Sequence, residues 1–169
     1  MVHQEKDLRE LVIKTARSMN ALGINVNKSG NVSVRARVGE LEGFWITPTG
    51  IAYEDLVAQD IVFVALDGLP HEEFAKQRKA SSEWLMHAEV YRHRQDVSAI
   101  VHTHSVYATA LACQDLCIPA FHYMVAVAGG NSIKCAPYAL FGSEELAKIA
   151  AEALEKKMPV FCLTMGCWP

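Results

Sequence analysis

The apolar run Val97-Ser98-Ala99-Ile100-Val101 leads directly into His102-Thr103-His104, and no other stretch of the chain limits the fold so tightly. Such a run predicts a strand, and alternate side chains on a strand point to one face. His102 and His104 are therefore expected side by side at the strand's end. Two neutral imidazoles so placed form a clamp for a divalent metal, with tetrahedral zinc the first choice. A His-x-His pair also occurs as ordinary surface or core histidines, so its company decides. Ser81-Ser82-Glu83 heads a helix-like segment that feeds this strand. An acid near a metal is either another ligand or a proton carrier.

A length of 169 residues is enough for one domain, taken here as 1–169, with a substantial core. Hydrophobic residues at 51% and charged residues at 21% place it among soluble globular chains. The net charge of −3 argues against nucleic acid or an anionic membrane as partner. No apolar stretch is long enough for a membrane span, and the polar start Met1–Asp7 lacks the apolar centre of a signal peptide. Five cysteines (Cys113, Cys117, Cys135, Cys162, Cys167) form no C-x-x-C pair and leave one over. That pattern fits reduced thiols in the cytoplasm better than a disulfide framework.

Helical spacing of Leu8, Leu11, Val12, Thr15, Met19 and Leu22 predicts a first helix, with Gly23 at its C-cap. Strands are predicted from Gly30 to Arg35, Phe44 to Thr47 and Asp60 to Leu66, the last followed by the hairpin signal Asp67-Gly68. From Ser82 to about Arg94 the pattern turns helical, with Trp84, His87, Ala88 and Tyr91 on one side. A helix around 106–111 and one capped by Ser143 and running to Lys157 complete the order. These elements predict an α/β fold with one sheet covered by helices on both faces.

Gly30-Asn31, Thr49-Gly50 and Ser81-Ser82 share a character: backbone N–H groups at turns or a helix start, beside small polar side chains. Each suits an anion, Ser82 most of all at a helix N-terminus; each is equally an ordinary turn or cap. None matches a Walker or dinucleotide fingerprint. Tyr123, just beyond Pro119 and before the glycine turn Gly129-Gly130-Asn131-Ser132, is either a proton donor or a buried aromatic.

Together, Gly30-Asn31-Val32-Ser33, Ile46–Ile51, Ser81–Trp84, His102-Thr103-His104, Ile118–Tyr123, Ala128–Ile133 and Cys135–Gly142 closely resemble the class II aldolase/adducin superfamily, nearest its L-fuculose-1-phosphate aldolase branch. The resemblance runs from about residue 5 to about residue 163. It implies a three-layer α-β-α sandwich around a mixed, largely antiparallel sheet. It also implies cleavage of a ketose 1-phosphate to dihydroxyacetone phosphate and an aldehyde, through an enediolate, as in fucose degradation. Glu83 would be the catalytic acid/base and also a metal ligand, with His102 and His104 as two of three zinc histidines. Gly30, Asn31, Thr49, Gly50, Ser81 and Ser82 would hold the substrate phosphate, and Tyr123 would serve the leaving aldehyde. The family implies one Zn²⁺ per subunit and a homotetramer whose sites lie between neighbours. Two other activities share the superfamily: pentulose-phosphate 4-epimerase, and the non-catalytic structural role of the adducin head.

The family's third zinc histidine stands in an Asn-His-Gly-like motif after a late strand. Here that strand, Val160–Leu163, is followed by Thr164-Met165-Gly166-Cys167-Trp168-Pro169, with no histidine after His122. Back-translated and read one base earlier, the tail accommodates Asn-His-Gly-x-Leu-Ala. A single-base shift in the tail is therefore the expectation, leaving the zinc shell one histidine short and the family's C-terminal elements absent.

Overall fold

Helical periodicity near the start of the chain produces α1 (Val2–Ala21), and Gly23, at φ +69°, ends it where a cap is predicted. The Ile24 N–H reaches back to the Met19 carbonyl at 3.1 Å. The buried face is rotated from the predicted stripe. Val12, Ile13, Ala16 and Met19 are in the core, whereas Leu11 and Leu22 are exposed. The smaller Ala16 and branched Ile13 face the sheet because they cluster with Val32, Val34 and Trp45, a choice made by packing rather than by apolarity.

The computed structural model describes residues 2–68, 71–127 and 130–154. The predicted strand at 160–163, the last residues of the final helix beyond 154, the tail 164–169 and Gly129 lie outside the described residues.

Four strands form the sheet: β1 (Asn31–Val38), β2 (Leu41–Ile46), β3 (Val62–Ala65) and β4 (Ala99–His102), in the order β3-β2-β1-β4. The resemblance implied a mixed, largely antiparallel sheet, and every pairing among the described residues is antiparallel. The tight hairpin is also not the predicted one. β1 and β2 join through Gly39-Glu40, with Val38 opposite Leu41. Asp67-Gly68 does turn the chain, the Gly68 N–H reaching the Ala65 carbonyl at 3.4 Å. A 3₁₀ turn at Glu72–Phe74 follows it, and no described strand pairs with the outer side of β3. The turn signal is local, whereas a hairpin also needs a second strand to receive it.

The period of two along the strands sorts the sheet into two faces. Val32, Val34, Trp45 and Phe63 face α1. Phe44, Ile46 and Val62 pack with Ala88 and Tyr91 of α2 (Trp84–His93). Complete burial of a side chain such as Phe44 stabilises by about 1.5–3 kcal/mol. Behind α2 lies α5 (Glu144–Leu154), through Met86, Ala147 and Ala150. Ser143 caps α5 as predicted, its Oγ accepting from the Leu146 N–H at 3.1 Å. Helices α3 (Val106–Ala112) and α4 (Met124–Val127) follow β4. The α/β sandwich with helices on both faces is thus realised. Cys117 and Cys135 are free thiols. No helix among the described residues is long and apolar enough to cross a membrane.

Candidate metal centre and active site

Antiparallel pairing of β1 with β4 sets Asn31 opposite His102. Glu83 stands at the N-cap of α2, just outside the predicted helical position, and is 3% exposed. The N-cap, the first residue of β1 and the end of β4 therefore meet at one point. There His102 Nδ1 lies 2.9 Å from Glu83 Oε2, and the His102 and His104 ring centroids are 5.0 Å apart. One ligand atom from each of Glu83, His102 and His104 falls within 4.8 Å of the others. The two histidines stand side by side as expected, although β4 ends at His102 and His104 lies two residues beyond it.

Four buried side-chain polar atoms among the described residues lack a hydrogen-bond partner, and three belong to this cluster: Glu83 Oε1, His102 Nδ1 and His104 Nε2. His102 Nδ1 is close to Glu83 Oε2 but off the line of a hydrogen bond. Buried polar atoms left without partners are costly. Three of them converging, two imidazole nitrogens and a carboxylate oxygen, make a donor set that fits a divalent cation. Burial by itself raises the Glu83 carboxyl, but the adjacent His102 imidazole and the Asn31 amide outweigh it and hold it below its ordinary value. His104 is pushed down by burial and by the neighbouring His102, which favours the neutral imidazole that a metal needs.

Each member has a support. The Asn31 amide donates to Glu83 Oε2 at 2.8 Å. The His104 N–H donates to Asn25 Oδ1 at 3.0 Å, which ties the end of β4 to the loop before β1. Neither Asn25 nor His87, fully buried behind Asn31, figures among the predicted site residues. The sequence signal was there: a histidine on the apolar side of α2, and the polar run Asn25–Asn31 in a chain that is 51% hydrophobic.

The three predicted anion-binding loops converge. Thr47 is their knot: its N–H donates to the Val32 carbonyl at 3.1 Å, and its own carbonyl accepts from the Ser81 N–H at 3.0 Å. Thr47 Oγ1 also accepts from the Val32 N–H. The Thr49 N–H then donates to the Lys79 carbonyl, joining 47–49 to 79–81. Thr49, Gly50 and Ser82 are exposed, while Gly30, Asn31 and Ser81 are buried. Two of these positions also make contacts toward the metal cluster. The Asn31 side chain is engaged by Glu83 and His87. Gly30 serves close approach rather than a turn, because a Cβ there would sit 2.4 Å from the His102 carbonyl oxygen. Lys28 Nζ, from the same loop, donates to the Gly50 carbonyl at 3.0 Å.

Tyr123 is not brought into the cluster. It is 75% exposed and lines a separate hollow with Phe121, Ala126 and Gly130. Among the described residues, its ring contact is with His122, at 4.3 Å between centroids.

Residues 10–166 match the class II aldolase and adducin N-terminal domain family. L-fuculose phosphate aldolase of Escherichia coli K12 is 46% identical over 154 residues, 91% of this chain and 68% of that protein. A 5-methylthioribulose-1-phosphate/5-deoxyribulose-1-phosphate aldolase of Rhodospirillum rubrum is 47% identical over 148 residues, 88% of this chain and 63% of its own length. A solved L-fuculose 1-phosphate aldolase superposes with a TM-score of 0.80 at 38% identity, covering 89% of this chain and 68% of that one. The chain thus spans about two thirds of the length of these relatives. It belongs to the class II aldolase and adducin N-terminal domain family, and its named relatives there are aldolases, which are lyases.

Proposed function

We propose that the chain is a zinc-dependent aldolase, a single domain that cleaves a ketose 1-phosphate of the fuculose-1-phosphate type to dihydroxyacetone phosphate and an aldehyde. The convergence of Glu83, His102 and His104, with three of their buried polar atoms lacking a hydrogen bond, carries this reading. A divalent cation held there supplies Lewis-acid stabilisation of the negative charge that develops beside the ketone. Thr49, Gly50, Ser81 and Ser82, with Gly30 and Asn31 beside them, grip the phosphate and fix the sugar relative to the cluster. The hydroxyl on the aldehyde side gives its proton to the Glu83 carboxylate, and the carbon–carbon bond breaks with its electron pair passing to the carbon next to the ketone. Glu83 returns a proton to that carbon. Asn31 keeps the carboxylate oriented through its 2.8 Å hydrogen bond.

Tyr123, exposed and remote from the cluster of its own subunit, serves the leaving aldehyde from a neighbouring copy in a homotetramer. Cytoplasmic location and a role in fucose degradation belong to the same reading. Relatives acting on fuculose and 5-deoxyribulose phosphates match almost equally well, which supports the 1-phosphate ketose class over a single sugar. The test sets L-fuculose 1-phosphate, 5-deoxyribulose 1-phosphate and ribulose 5-phosphate side by side, with metal content measured on the same preparation. Cleavage of a 1-phosphate with bound zinc is expected. Epimerisation of the 5-phosphate, or inertness toward all three, would overturn the reading.

A further inference from the structure

Behind the metal cluster, among apolar side chains, a file of polar groups leads from Tyr91 through Ser33 and His87 to Asn31 and Glu83. Ser33 Oγ lies 2.8 Å from Tyr91 Oη and 2.7 Å from His87 Nδ1. His87 Nε2 lies 2.5 Å from Asn31 Oδ1, and Asn31 Nδ2 lies 2.8 Å from Glu83 Oε2. Ser33 and His87 have no solvent exposure. Phe44 stacks on His87 and packs against Tyr91, while Arg35 sits 4.7 Å over the Tyr91 ring and donates to the Tyr91 carbonyl.

Proton positions along this file follow from one end. An ionised Glu83 only accepts, so Asn31 must present its NH₂ group there. Asn31 Oδ1 then faces His87, and His87 Nε2 must carry the hydrogen. His87 Nδ1 is left as an acceptor, so the Ser33 hydroxyl donates to it and in turn accepts from Tyr91. Every hydrogen bond points toward Glu83, and none of the four groups can reverse alone without opposing two donors or two acceptors.

We propose that Tyr91, Ser33 and His87 form a one-directional hydrogen-bond relay that locks the Asn31 amide and thereby orients Glu83, with His87 as a positioning residue. The relay rests on the reading of Glu83 as the proton carrier. Burial supports the assigned states: it pushes the His87 imidazole down to about 3, keeping it neutral, and the Tyr91 phenol up to about 12, keeping it a donor. Aligned chains of this kind polarise one another in a low-dielectric interior.

Nitrogen NMR of the histidine rings in the full chain, without substrate, reads the tautomer directly. His87 should be neutral with its proton on Nε2; a proton on Nδ1 overturns the relay. In Ser33→Ala the Asn31 side-chain amide should lose its protection from hydrogen exchange, and unchanged protection overturns the lock. Tyr91→Phe, which keeps the ring, makes the same test if the first variant folds poorly. In turnover, Ser33→Ala should lower kcat roughly 10–100-fold, the usual effect of losing a group that orients a metal-site residue. KM should stay within about twofold, because Thr49, Gly50, Ser81 and Ser82 are untouched. Wild-type kcat in both variants overturns the positioning role. The spectra need no substrate, so failure of the aldolase reading and failure of the relay are separately visible.

Discussion

Replacing Gly30 by alanine tests how the fold delivers its histidines. The added Cβ would lie 2.4 Å from the His102 carbonyl oxygen and 2.7 Å from Asn25 Oδ1. Neither neighbour yields easily. One is backbone at the end of β4, and the other accepts the His104 N–H and the Ser29 hydroxyl. Restoring ordinary contact at about 3.4 Å demands a displacement of about 1 Å between the start of β1 and the end of β4. Forcing a methyl into a packed site costs about 1–3 kcal/mol. For a chain of this size each kcal/mol lowers Tm by roughly 2–4 °C. The larger effect is expected in function, since a misplacement of about 1 Å near the chemistry costs on the order of 10²-fold in rate. Thermal unfolding, zinc titration and retro-aldol rate on Gly30→Ala and wild type check this. Unchanged Tm and unchanged zinc affinity together would refute the claim that close approach at Gly30 sets the histidine clamp.

Three further outcomes are expected. Glu83→Gln keeps the shape of the side chain and its place beside Asn31, so the fold should persist while turnover falls by roughly 10²–10⁴-fold, measured as retro-aldol kcat. His87 is fully buried with its imidazole lowered to about 3 from an ordinary 6.5, so the unfolded chain binds the extra proton between those values. Stability is therefore complete above about pH 6.5 and falls toward pH 3 by about 1.4 kcal/mol per pH unit from this group; denaturant titrations across that window should show the slope in wild type and lose it in His87→Phe. Tyr123→Phe, at an exposed position, should leave Tm and zinc content unchanged and lower kcat, and an unchanged kcat would remove Tyr123 from the reaction.

Periodicity was enough for the strands, for α1 with its Gly23 cap, for the Ser143 cap and for the same-face placement of His102 and His104, because each depends on neighbours a few residues away. The motif types likewise pointed to Glu83 and to the three polar loops. What local pattern could not supply was the company each residue keeps across the chain. Leu11 is as apolar as Val12, yet only the sheet determines which of them is covered. Asn31 carries a loop motif, but its bridge between Glu83 and His87, which are 52 and 56 residues away in sequence, could not be read from that motif. Gly30 looked like a turn and is a point of contact with His102. Thr47 and Asn25 were not singled out from the sequence, yet they tie the loops and the segment after β4 together, Thr47 through its backbone N–H and carbonyl and Asn25 through its side-chain Oδ1. Sequence alone therefore determined which chemical groups are present and which local elements carry them. Only tertiary structure decided which buried donors and acceptors pair, because a buried polar group is satisfied by whatever the fold brings within 3 Å, however distant in the chain.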